Sequence, residues 1–442
     1  MGAAAKAANT PPQNAQAWLK NRFLRDGPIT LQTHNPEPTA TRFRDHSIRN
    51  KDLDQAALNI IEQLNANGFQ AYLVGGCIRD ALCDVKPKDF DVATDASLEQ
   101  ISKIFRRSRI VGRRFPIVHV RAGRELIEVS TFRQALSENI VQDHQGMILR
   151  DNAYGTLQQD AFRRDFTINA LYYDPAAGEI IDFVGGVQDI QDGHIRLIGD
   201  TATRLAEDPV RFLRALRFAA KLDFTIESSI LDLVNGSAAR LKSVPPARLF
   251  DEFLKLFLTG HAESIWSTMR DTPLATALFP TCRPDSNLVL SAMRNTDARI
   301  HQGASVTPGF LIAVLLWEDF LARQNERQAN EEDPALASLR EQQPHVAIPR
   351  RFGTFAREIW LIQERLEKRN HRGVAKLCAH RRFRAGYDFL CLRAEEEESL
   401  RECADWWTEY QEQDEAKQQE MIDLLPRVPR KRRKRRPRGG SQ

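Results

Sequence analysis

The chain has 442 residues, 42% of them hydrophobic, and a net charge of +4, and this length favours two or more packed units over one growing core. Its longest apolar run, residues 310–317, is far shorter than the roughly 20 residues that span a bilayer. The N-terminus carries no secretory or myristoylation signal. We therefore expect a cytoplasmic protein. Six scattered cysteines without a C-x-x-C pair argue against a zinc site and against a disulfide framework.

The N-terminal residues 1–45 are rich in Ala, Asn, Gln, Pro and Thr and show little hydrophobic periodicity. This composition predicts a disordered segment, with order beginning near His46. From Asp52 onward the apolar residues fall on one helical face, and Asn67-Gly68 supplies a left-handed stop. The sequence therefore predicts a helix that buries Leu53, Ala57, Ile60, Ile61 and Leu64.

A strand pattern at residues 69–74 follows this helix and is closed by Gly75-Gly76, after which residues 77–82 restart as a helix. A Gly-Gly turn between a strand and a helix exposes backbone N–H groups where the helix adds partial positive charge. Gly75 and Gly76 are therefore candidates for cradling a polyphosphate, with Arg79 as an ionic clamp. Alone this signal is weak, because Gly-Gly turns more often serve ordinary chain reversal.

Asp89 and Asp91 form an acidic pair on a short extended segment some thirteen residues later. Residues i and i+2 of a strand project to the same face, so the two carboxylates are presented together to divalent cations. Hard oxygen ligands suit magnesium, and two ions activate an attacking hydroxyl and stabilise a leaving pyrophosphate. The alternative is a solvated pair in a turn, but burial of the flanking Phe90 and Val92 favours an ordered strand. We predict two Mg²⁺ ions here, with Mn²⁺ as an alternative.

Two β-type runs, residues 117–121 and 126–131, flank a turn at Gly123 and predict a hairpin. Glu128 in the second run either joins the acidic cluster as a supporting acid or pairs with a nearby arginine. Past about Arg196 the strand signals stop and helical periodicity takes over. The predicted class is α+β, in which a small mixed β-sheet with helices precedes an all-α C-terminal half.

Two later motifs contain candidate nucleotide-binding residues. Arg164 is a candidate phosphate contact, and Asp165 either orients the metal site or ribose or forms a structural Arg-Asp pair. Asp208 and Arg211 lie at the start of a predicted helix, where Asp208 also suits the N-cap position and Pro209 the first turn. An Asp-Arg pair about one turn apart is suited to reading the edge of an adenine base.

The C-terminal segment 427–438 carries nine positive charges and no acid, so the rest of the chain has a net charge of −5. A basic arm of this kind holds a polyanion by releasing counterions, and its alternative reading is a solubilising tail. The predicted RNA-binding residues of this tail are Arg430, Lys431, Arg432, Arg433, Lys434, Arg435 and Arg436.

In combination these motifs resemble the class II nucleotidyltransferases, the family of bacterial poly(A) polymerases and tRNA CCA-adding enzymes. The resemblance rests on four motifs in family order, which are residues 73–80 (LVGGCIRD), 88–91 (KDFD), 164–169 (RDFTIN) and 207–211 (EDPVR). Within the family, residues 110–120 (IVGRRFPIVHV) and the arginine-rich C-terminus are similar to bacterial poly(A) polymerases. The likeness continues through residues 295–301 (NTDARIH) and 381–385 (RRFRA).

The resemblance implies a catalytic head at residues 46–195, a helical neck at 196–260 that selects the base and binds RNA, and an RNA-binding helical body and tail at 261–425. A disordered basic tail at 426–442 completes this division. The resemblance also implies that Asp89 and Asp91 are metal ligands and that Asp165 is a third functional acid. By the same pattern, the triphosphate meets Gly75, Gly76 and Arg79, and the base meets Asp208 and Arg211.

The predicted activity is templateless addition of AMP from ATP to RNA 3′ ends, with release of pyrophosphate, in RNA processing and decay. The alternatives are a tRNA CCA-adding enzyme and, from another class, a non-catalytic RNA-binding protein. Apart from RNA 3′ ends and ATP, the candidate partners are RNA-decay or RNA-chaperone proteins. A monomer is the favoured oligomeric state, and no membrane partner is expected.

Overall fold

The computed structural model describes residues 39–112, 116–134, 141–142, 148–150, 154–327, 332–371 and 373–426. The chain divides into two compact units. The first extends to Pro245 and takes in Asp271–Ala277, and the second contains Pro246–Arg270 and the chain from Leu278 onward. Each unit has its own architecture.

The first unit is built on an eight-stranded mixed sheet. Its strands, in spatial order, are β1 (Thr41–Phe43), β10 (Glu179–Asp182), β9 (Leu171–Asp174), β2 (Ala71–Val74), β3 (Asp91–Thr94), β6 (Glu125–Thr131), β5 (Ile117–Ala122) and β4 (Ser108–Val111). Strands β3 and β6 pair in parallel, whereas their neighbours pair antiparallel. The predicted α+β class with a mixed sheet is confirmed, as is the hairpin of β5 and β6.

The remaining elements of this part of the chain are short. Two further strand pairs are β7 (Val141–Gln142) with β8 (Ile148–Arg150) and β11 (His194–Ile195) with β12 (Thr225–Ile226). The helices before Pro246 are Gln55–Ala66, Gly76–Leu82, Leu98–Ile104, Leu157–Arg163, Gly186–Asp192, Thr201–Glu207, Val210–Leu222, Ser228–Leu231 and Val234–Arg240. Single 3₁₀ turns occur at Asn50–Asp52, Thr167–Asn169 and Leu241–Ser243.

The predicted first helix forms over Gln55–Ala66, where Asp54 caps the N-terminus by accepting a 2.8 Å hydrogen bond from the Ala57 N–H. Gly68 adopts φ = +83°, a conformation that glycine reaches without a steric penalty, and ends the helix as predicted. The apolar face of the helix lies in the main core of the unit. Leu53 is also buried there, although it precedes the helix.

The two faces of the sheet differ in chemistry. Leu73, Val92, Val129 and Val118 are paired across β2, β3, β6 and β5, are fully buried, and pack against the helices Gln55–Ala66 and Leu98–Ile104. Because side chains alternate along a strand, the next residue in each strand faces the other side. That second face carries a smaller buried cluster and, beside it, a row of polar residues.

Two expectations about element limits are corrected by the structure. Thr41–Phe43 forms an edge strand against β10, so order begins before residue 46. Strand pairing and the ion pairs of Arg42 and Arg44 with Glu179 stabilise this strand. Neither interaction is visible in the sequence as hydrophobic periodicity. Thr225–Ile226 is also a strand, although strand signals were expected to stop near Arg196, because two residues are too few to show alternation.

The second unit is helical. Its helices are Pro246–Phe257, Ala262–Arg270, Asn287–His301, Pro308–Leu315, Trp317–Glu326, Pro334–Gln342, Arg350–Lys368, Val374–Cys378, Phe383–Glu396, Glu398–Glu412 and Glu415–Asp423, whereas all but the last residue of the helix Leu274–Leu278 belongs to the first unit. Buried aromatic rings hold them together: Trp360 stacks on Phe320 with a centroid separation of 4.8 Å, and Trp407 packs edge-on against Phe383. The predicted buried helix at residues 310–317 lies in this core, and in the described ranges no helix is long and apolar enough to cross a bilayer.

Gly309 allows the helices Pro308–Leu315 and Arg350–Lys368 to approach closely. A Cβ atom at this position would lie 2.8 Å from the Phe355 Cβ and 3.0 Å from the Phe352 carbonyl oxygen. We expect Gly309→Ala to destabilise the unit by about 1–3 kcal/mol, the usual cost of overpacking. Thermal unfolding followed by circular dichroism measures the effect. Gly236→Ala is the matched control, because a Cβ at Gly236 meets nothing within 4 Å; equal midpoints for the two variants would contradict the prediction.

Candidate active site

The acidic residues of the predicted site meet on the second face of the sheet. Val74 pairs with Asp91, Asp91 with Glu128, and Glu128 with His119, so that these side chains form one row across β2, β3, β6 and β5. Val74 is the last residue of β2, and Gly75-Gly76 follows directly. The register therefore places a carboxylate pair next to the predicted phosphate turn.

Asp91 is the central residue of this row. Burial, together with the negative charges of Glu128 and Asp89, raises the pKa of Asp91 to about 6, against the lowering effect of the Arg164 guanidinium. Three carboxylates and one guanidinium thus act on each other electrostatically here. Perturbed acids of this kind concentrate at functional sites.

Asp89 differs from the prediction in one respect. Strand β3 begins at Asp91, so Asp89 lies in the preceding loop, two residues before the strand, and is exposed. Phe90 is only partly buried, while Val92 is fully buried in the main core. Core packing of Val92 fixes the orientation of Asp91, and Asp89 keeps more conformational freedom than a strand residue.

Glu128 joins the acidic cluster and also lies beside a histidine. Its Oε1 atom lies 3.3 Å from Nε2 of His119 on the neighbouring strand. Its side chain is 52% exposed, so the carboxylate also remains accessible to a ligand.

Gly75 has φ = +79° and ψ = −123°, and this left-handed conformation lets the chain turn from β2 into the helix Gly76–Leu82. A Cβ atom at Gly75 would lie 3.5 Å from Nη1 of Arg164, so this guanidinium lies against the turn. A side chain there would be strained and would fill the space between the turn and Arg164. The structure thus brings together Gly75, Gly76 and Arg164 beside Asp91.

Arg164 is held by two residues that sequence reasoning missed. Its Nε donates to the Tyr172 hydroxyl oxygen at 3.0 Å, and its Nη2 donates to Asp160 at 2.9 Å. The Tyr172 hydroxyl donates in turn to Asp160 at 2.6 Å, and Tyr172 is paired with Val74 across β9 and β2. The two partners fix the guanidinium through Nε and Nη2, while Nη1 lies at the glycine turn.

Arg79 belongs to a buried network. Its Nε and Nη2 donate to Asp80, and its Nη1 donates to Asn169 at 2.6 Å. Asn169 donates to Asp165 at 3.3 Å, and Arg214 Nε donates to Asp165 at 2.7 Å. These contacts connect the motifs at residues 73–80 and 164–169 with the helix Val210–Leu222, so they assemble the site as well as line it.

Asp165 is an acid of this network whose partners lower its pKa. Burial alone would raise the pKa of Asp165, but the Arg214 guanidinium, the Phe166 N–H and the Asn169 amide outweigh it and lower the pKa to about 2. The carboxylate is therefore ionised throughout the neutral range. The Arg-Asp pair that the sequence left as an alternative is present.

Asp208 and Arg211 lie at the start of the helix Val210–Leu222, as predicted, but Arg211 has another partner. The Asp208 carboxylate accepts a 3.3 Å hydrogen bond from the Val210 N–H, whereas Pro209 occupies the N-cap. Arg211 Nη1 donates to Glu207 at 2.9 Å, and Arg204 donates to the same carboxylate oxygen at 2.7 Å. The i,i+3 and i,i+4 spacing of these three residues was the available signal for Glu207.

The carboxylates of the row offer part of a site for a divalent cation. Within the described ranges, no group of three or more His, Cys, Asp or Glu side chains is arranged as a ready-made metal site. Asp91 and Glu128 nevertheless offer oxygen donors; burial and then the negative charges of Glu128 and Asp89 raise the pKa of Asp91, and a bound cation would relieve the repulsion between these charges. Because Mg²⁺ is commonly held by one or two carboxylates with waters and phosphates, these residues fit such an ion.

The predicted basic tail, Arg430 to Arg436, lies outside the described residues, as do most of the predicted disordered N-terminal residues.

Three family models match the chain. They are "Poly A polymerase head domain" at residues 71–196, "Probable RNA and SrmB- binding site of polymerase A" at residues 223–285, and "Polymerase A arginine-rich C-terminus" at residues 317–439.

Curated relatives match most of the chain. Poly(A) polymerase I of Haemophilus influenzae is 42% identical over 416 residues, covering 88% of this chain and 92% of that protein. Poly(A) polymerase I of Escherichia coli is 42% identical over 401 residues, covering 85% and 86%. A CC-adding tRNA nucleotidyltransferase of Halalkalibacterium halodurans is 35% identical over 223 residues, covering 50% and 54%.

Solved structures give a similar fold. A Bacillus stearothermophilus CCA-adding enzyme in complex with CTP superposes with a TM-score of 0.57 at 25% identity, covering 79% of this chain and 81% of that chain. A tRNA-processing enzyme, at 22% identity, shares the fold with a TM-score of 0.59 and covers 83% and 99%. With 42% identity to poly(A) polymerase I over nearly nine-tenths of the chain, the protein belongs to the poly(A) polymerase family of nucleotidyltransferases.

Proposed function

We propose that this protein adds AMP from ATP to RNA 3′ ends without a template and releases pyrophosphate. The observation that carries the proposal is the row Val74–Asp91–Glu128, which sets acidic groups beside the Gly75-Gly76 turn. Nucleotidyl transfer needs both: donors for a triphosphate and carboxylates close to the reacting α-phosphorus.

In this proposal the chain's own residues bind and orient the reactants. Gly75, Gly76 and the Nη1 group of Arg164 receive the triphosphate, and Asp208 and Arg211 contact the adenine. The RNA 3′-oxygen forms a bond to the α-phosphorus while the bond to the bridging oxygen breaks, so that pyrophosphate leaves and the hydroxyl proton is released. Asp89 and Asp91, with Glu128 in support, would hold Mg²⁺, and the bound ion would lower the pKa of the attacking hydroxyl and offset the developing charge.

Glu207 and Asp165 are positioning residues in this scheme. Glu207 holds the Arg211 guanidinium, and Asp165 connects Arg214 to Asn169 and so to Arg79. Arg79 then supports the glycine turn, because its Nη2 lies against Gly76: a Cβ atom at Gly76 would lie 3.6 Å from this nitrogen. The basic C-terminal tail binds RNA in this scheme.

Poly(A) addition is favoured over CCA addition by the extent of the likeness. The poly(A) polymerase I relatives match along 85–88% of this chain, whereas the CC-adding relative matches along 50%. Intact acids at 89 and 91 argue against a non-catalytic RNA-binding protein, since binding alone does not need them.

Product length tests the proposal. An unstructured RNA is incubated with the protein, Mg²⁺ and each nucleotide separately, and products are resolved on a denaturing gel. We expect long tails with ATP alone. Addition that is restricted to tRNA lacking its terminus, and that also uses CTP, would instead identify a CCA-adding enzyme.

A further inference from the structure

The second unit contains a basic pocket at which two of the sequence motifs meet. Residues 295–301 and 381–385 are distant in sequence, yet both contribute to one cavity of about 210 Å³. The proposed head chemistry does not involve either motif. The basic and aromatic side chains that line the cavity are Arg299, Arg381, Arg382, Arg384, Phe310 and Phe355.

The four arginines outnumber the acids that pair with them. Arg384 Nε lies 2.9 Å and Arg299 Nη1 lies 3.6 Å from Asp388. Arg382 Nε lies 2.8 Å from Glu358, which also pairs with Arg381.

Two carboxylates thus face four guanidinium groups, which leaves two positive charges in excess. Each guanidinium has five N–H donors, so these ion pairs leave donors for an anion.

Two helices also begin at the pocket. Pro308–Leu315 starts after Thr307, and Phe383–Glu396 starts after Arg382, and neither N-cap residue makes a side-chain capping hydrogen bond. Helix N-termini carry partial positive charge, which adds to that of the arginines. The pocket is therefore electropositive from both its side chains and its backbone.

The size and the exposure of the pocket indicate what it binds. Its volume lies below the roughly 300–1,000 Å³ of pockets for drug-sized ligands, so one phosphate with part of its nucleoside fits better than a whole nucleoside triphosphate. Arg381 and Arg384 remain 66% and 71% exposed, which extends the positive surface beyond the cavity, as a polymer with repeated phosphates requires.

Aromatic side chains add a surface for a base or ribose. Phe310 and Phe355 line the cavity and are only partly buried. The Arg382 guanidinium lies over the Phe355 ring at 4.3 Å. Arginines interleaved with aromatic rings are typical of single-strand nucleic-acid sites, where bases stack and phosphates pair.

We propose that this pocket binds a phosphodiester group of single-stranded RNA, with the adjoining nucleoside against Phe310 and Phe355. The site lies outside the head and outside the matched RNA-binding segment at residues 223–285. The assignment of RNA as the ligand rests on the proposed function.

The test variant is the double substitution Arg381→Gln with Arg384→Gln. It removes the two most exposed guanidinium groups and leaves Glu358 paired with Arg382 and Asp388 paired with Arg299. No acid loses its last partner, so we expect the thermal unfolding midpoint to stay close to that of the wild type.

The matched control is Arg340→Gln with Arg401→Gln. These arginines are also exposed, at 68% and 57%, and each is ion-paired, with Glu332 and Glu398. The control variant loses the same total charge away from the pocket. A general electrostatic effect therefore lowers RNA affinity equally in both variants.

Affinity for a labelled single-stranded oligo(A) is measured by fluorescence anisotropy over a series of salt concentrations. The pocket variant is expected to lose about tenfold in affinity at low salt and about 0.7 in the slope of log K against log salt, since the pocket is proposed to hold one phosphodiester group and each single-strand phosphate contact contributes about 0.7. The control variant should keep the wild-type slope. Equal slopes for the two variants would overturn the proposal.

A second arm separates RNA from a free nucleotide. If the pocket variant loses AMP or ATP binding in equilibrium dialysis but keeps oligo(A) affinity, the pocket is a nucleotide site and the RNA assignment fails. The anisotropy measurement needs no catalysis, so it stands even if the wild type fails to incorporate AMP. In that case only the proposed function is lost.

Discussion

Asp91→Asn is expected to abolish AMP incorporation while the protein remains folded. Asp91 lies at the centre of the acidic row, and its carboxylate is one of the proposed metal ligands. Charge stabilisation by a bound metal is worth several kcal/mol, so a loss of about 4 kcal/mol lowers kcat by about 10³-fold. Primer extension with ATP measures the effect, and Asp89→Asn should act in the same direction.

The stability of the same variant provides an internal check. Burial and the charges of Glu128 and Asp89 raise the pKa of Asp91 to about 6. The folded protein thus prefers the protonated form, and ionisation of Asp91 costs stability as the pH rises through 6. Measured at pH 7 in a metal-free buffer, the unfolding midpoint of Asp91→Asn should be at least as high as that of the wild type.

Glu125→Gln is the matched control, because Glu125 is an exposed acid at the start of β6, outside the acidic row. It should retain activity. Near-normal incorporation by Asp91→Asn would overturn the assignment of Asp91. A large drop in its unfolding midpoint would show that lost activity reports misfolding, and so would contradict the expected separation of folding from catalysis.

Asp165→Asn is expected to destabilise the first unit by about 3 kcal/mol, at the lower end of the cost of breaking a buried ion pair. Asp165 and Arg214 keep side-chain exposures of only 14% and 29%, so water replaces their contact poorly. A double-mutant cycle with Arg214→Gln isolates the pair. We expect a coupling energy well above about 0.5 kcal/mol, the scatter seen for independent sites.

The pH dependence of stability has a defined sign. Asp165 has a pKa of about 2 in the folded protein, below the ordinary value of 3.8. Its contribution is therefore fully present above pH 4 and is lost as the pH falls through 2. The stability difference between wild type and Asp165→Asn should shrink over this window and remain constant from pH 5 to 8.

Activity distinguishes a positioning role from a direct one. If Asp165 acts by holding the network, Arg214→Gln breaks the same ion pair and lowers activity to a similar degree. If Asp165→Asn is inactive while Arg214→Gln keeps wild-type kcat, Asp165 acts on the reactants directly, and the positioning role is wrong.

Local sequence patterns were sufficient to predict much of the secondary structure of the first unit. The stop at Gly68, the strand before Gly75 and the hairpin around Gly123 were all predictable, because glycine punctuation and hydrophobic alternation act over a few residues. The edge strand Thr41–Phe43 was missed because it is three residues long and mainly exposed. Its stability comes from pairing with residues far away in sequence.

The residues of the site also divide into those that the local sequence identifies and those that only the fold identifies. Asp89, Asp91, Gly75 and Gly76 were recognisable from residue type and spacing. The partners that orient the guanidinium groups were not: strand register brings Tyr172 to Arg164, and the role of Asp160, although it lies only four residues before Arg164, shows only in the structure. Their residue types alone give no functional signal.

The amino-acid sequence by itself determined the family, the α+β class and the acidic pair, because each depends on motifs whose residues are close along the chain. Only the tertiary structure decided that Glu128 lies opposite Asp91 and that Arg214 pairs with Asp165. It also decided that the motifs at residues 295–301 and 381–385 share one pocket. Strand register and helix packing bring these groups together across long sequence separations, and neither is encoded in any one segment.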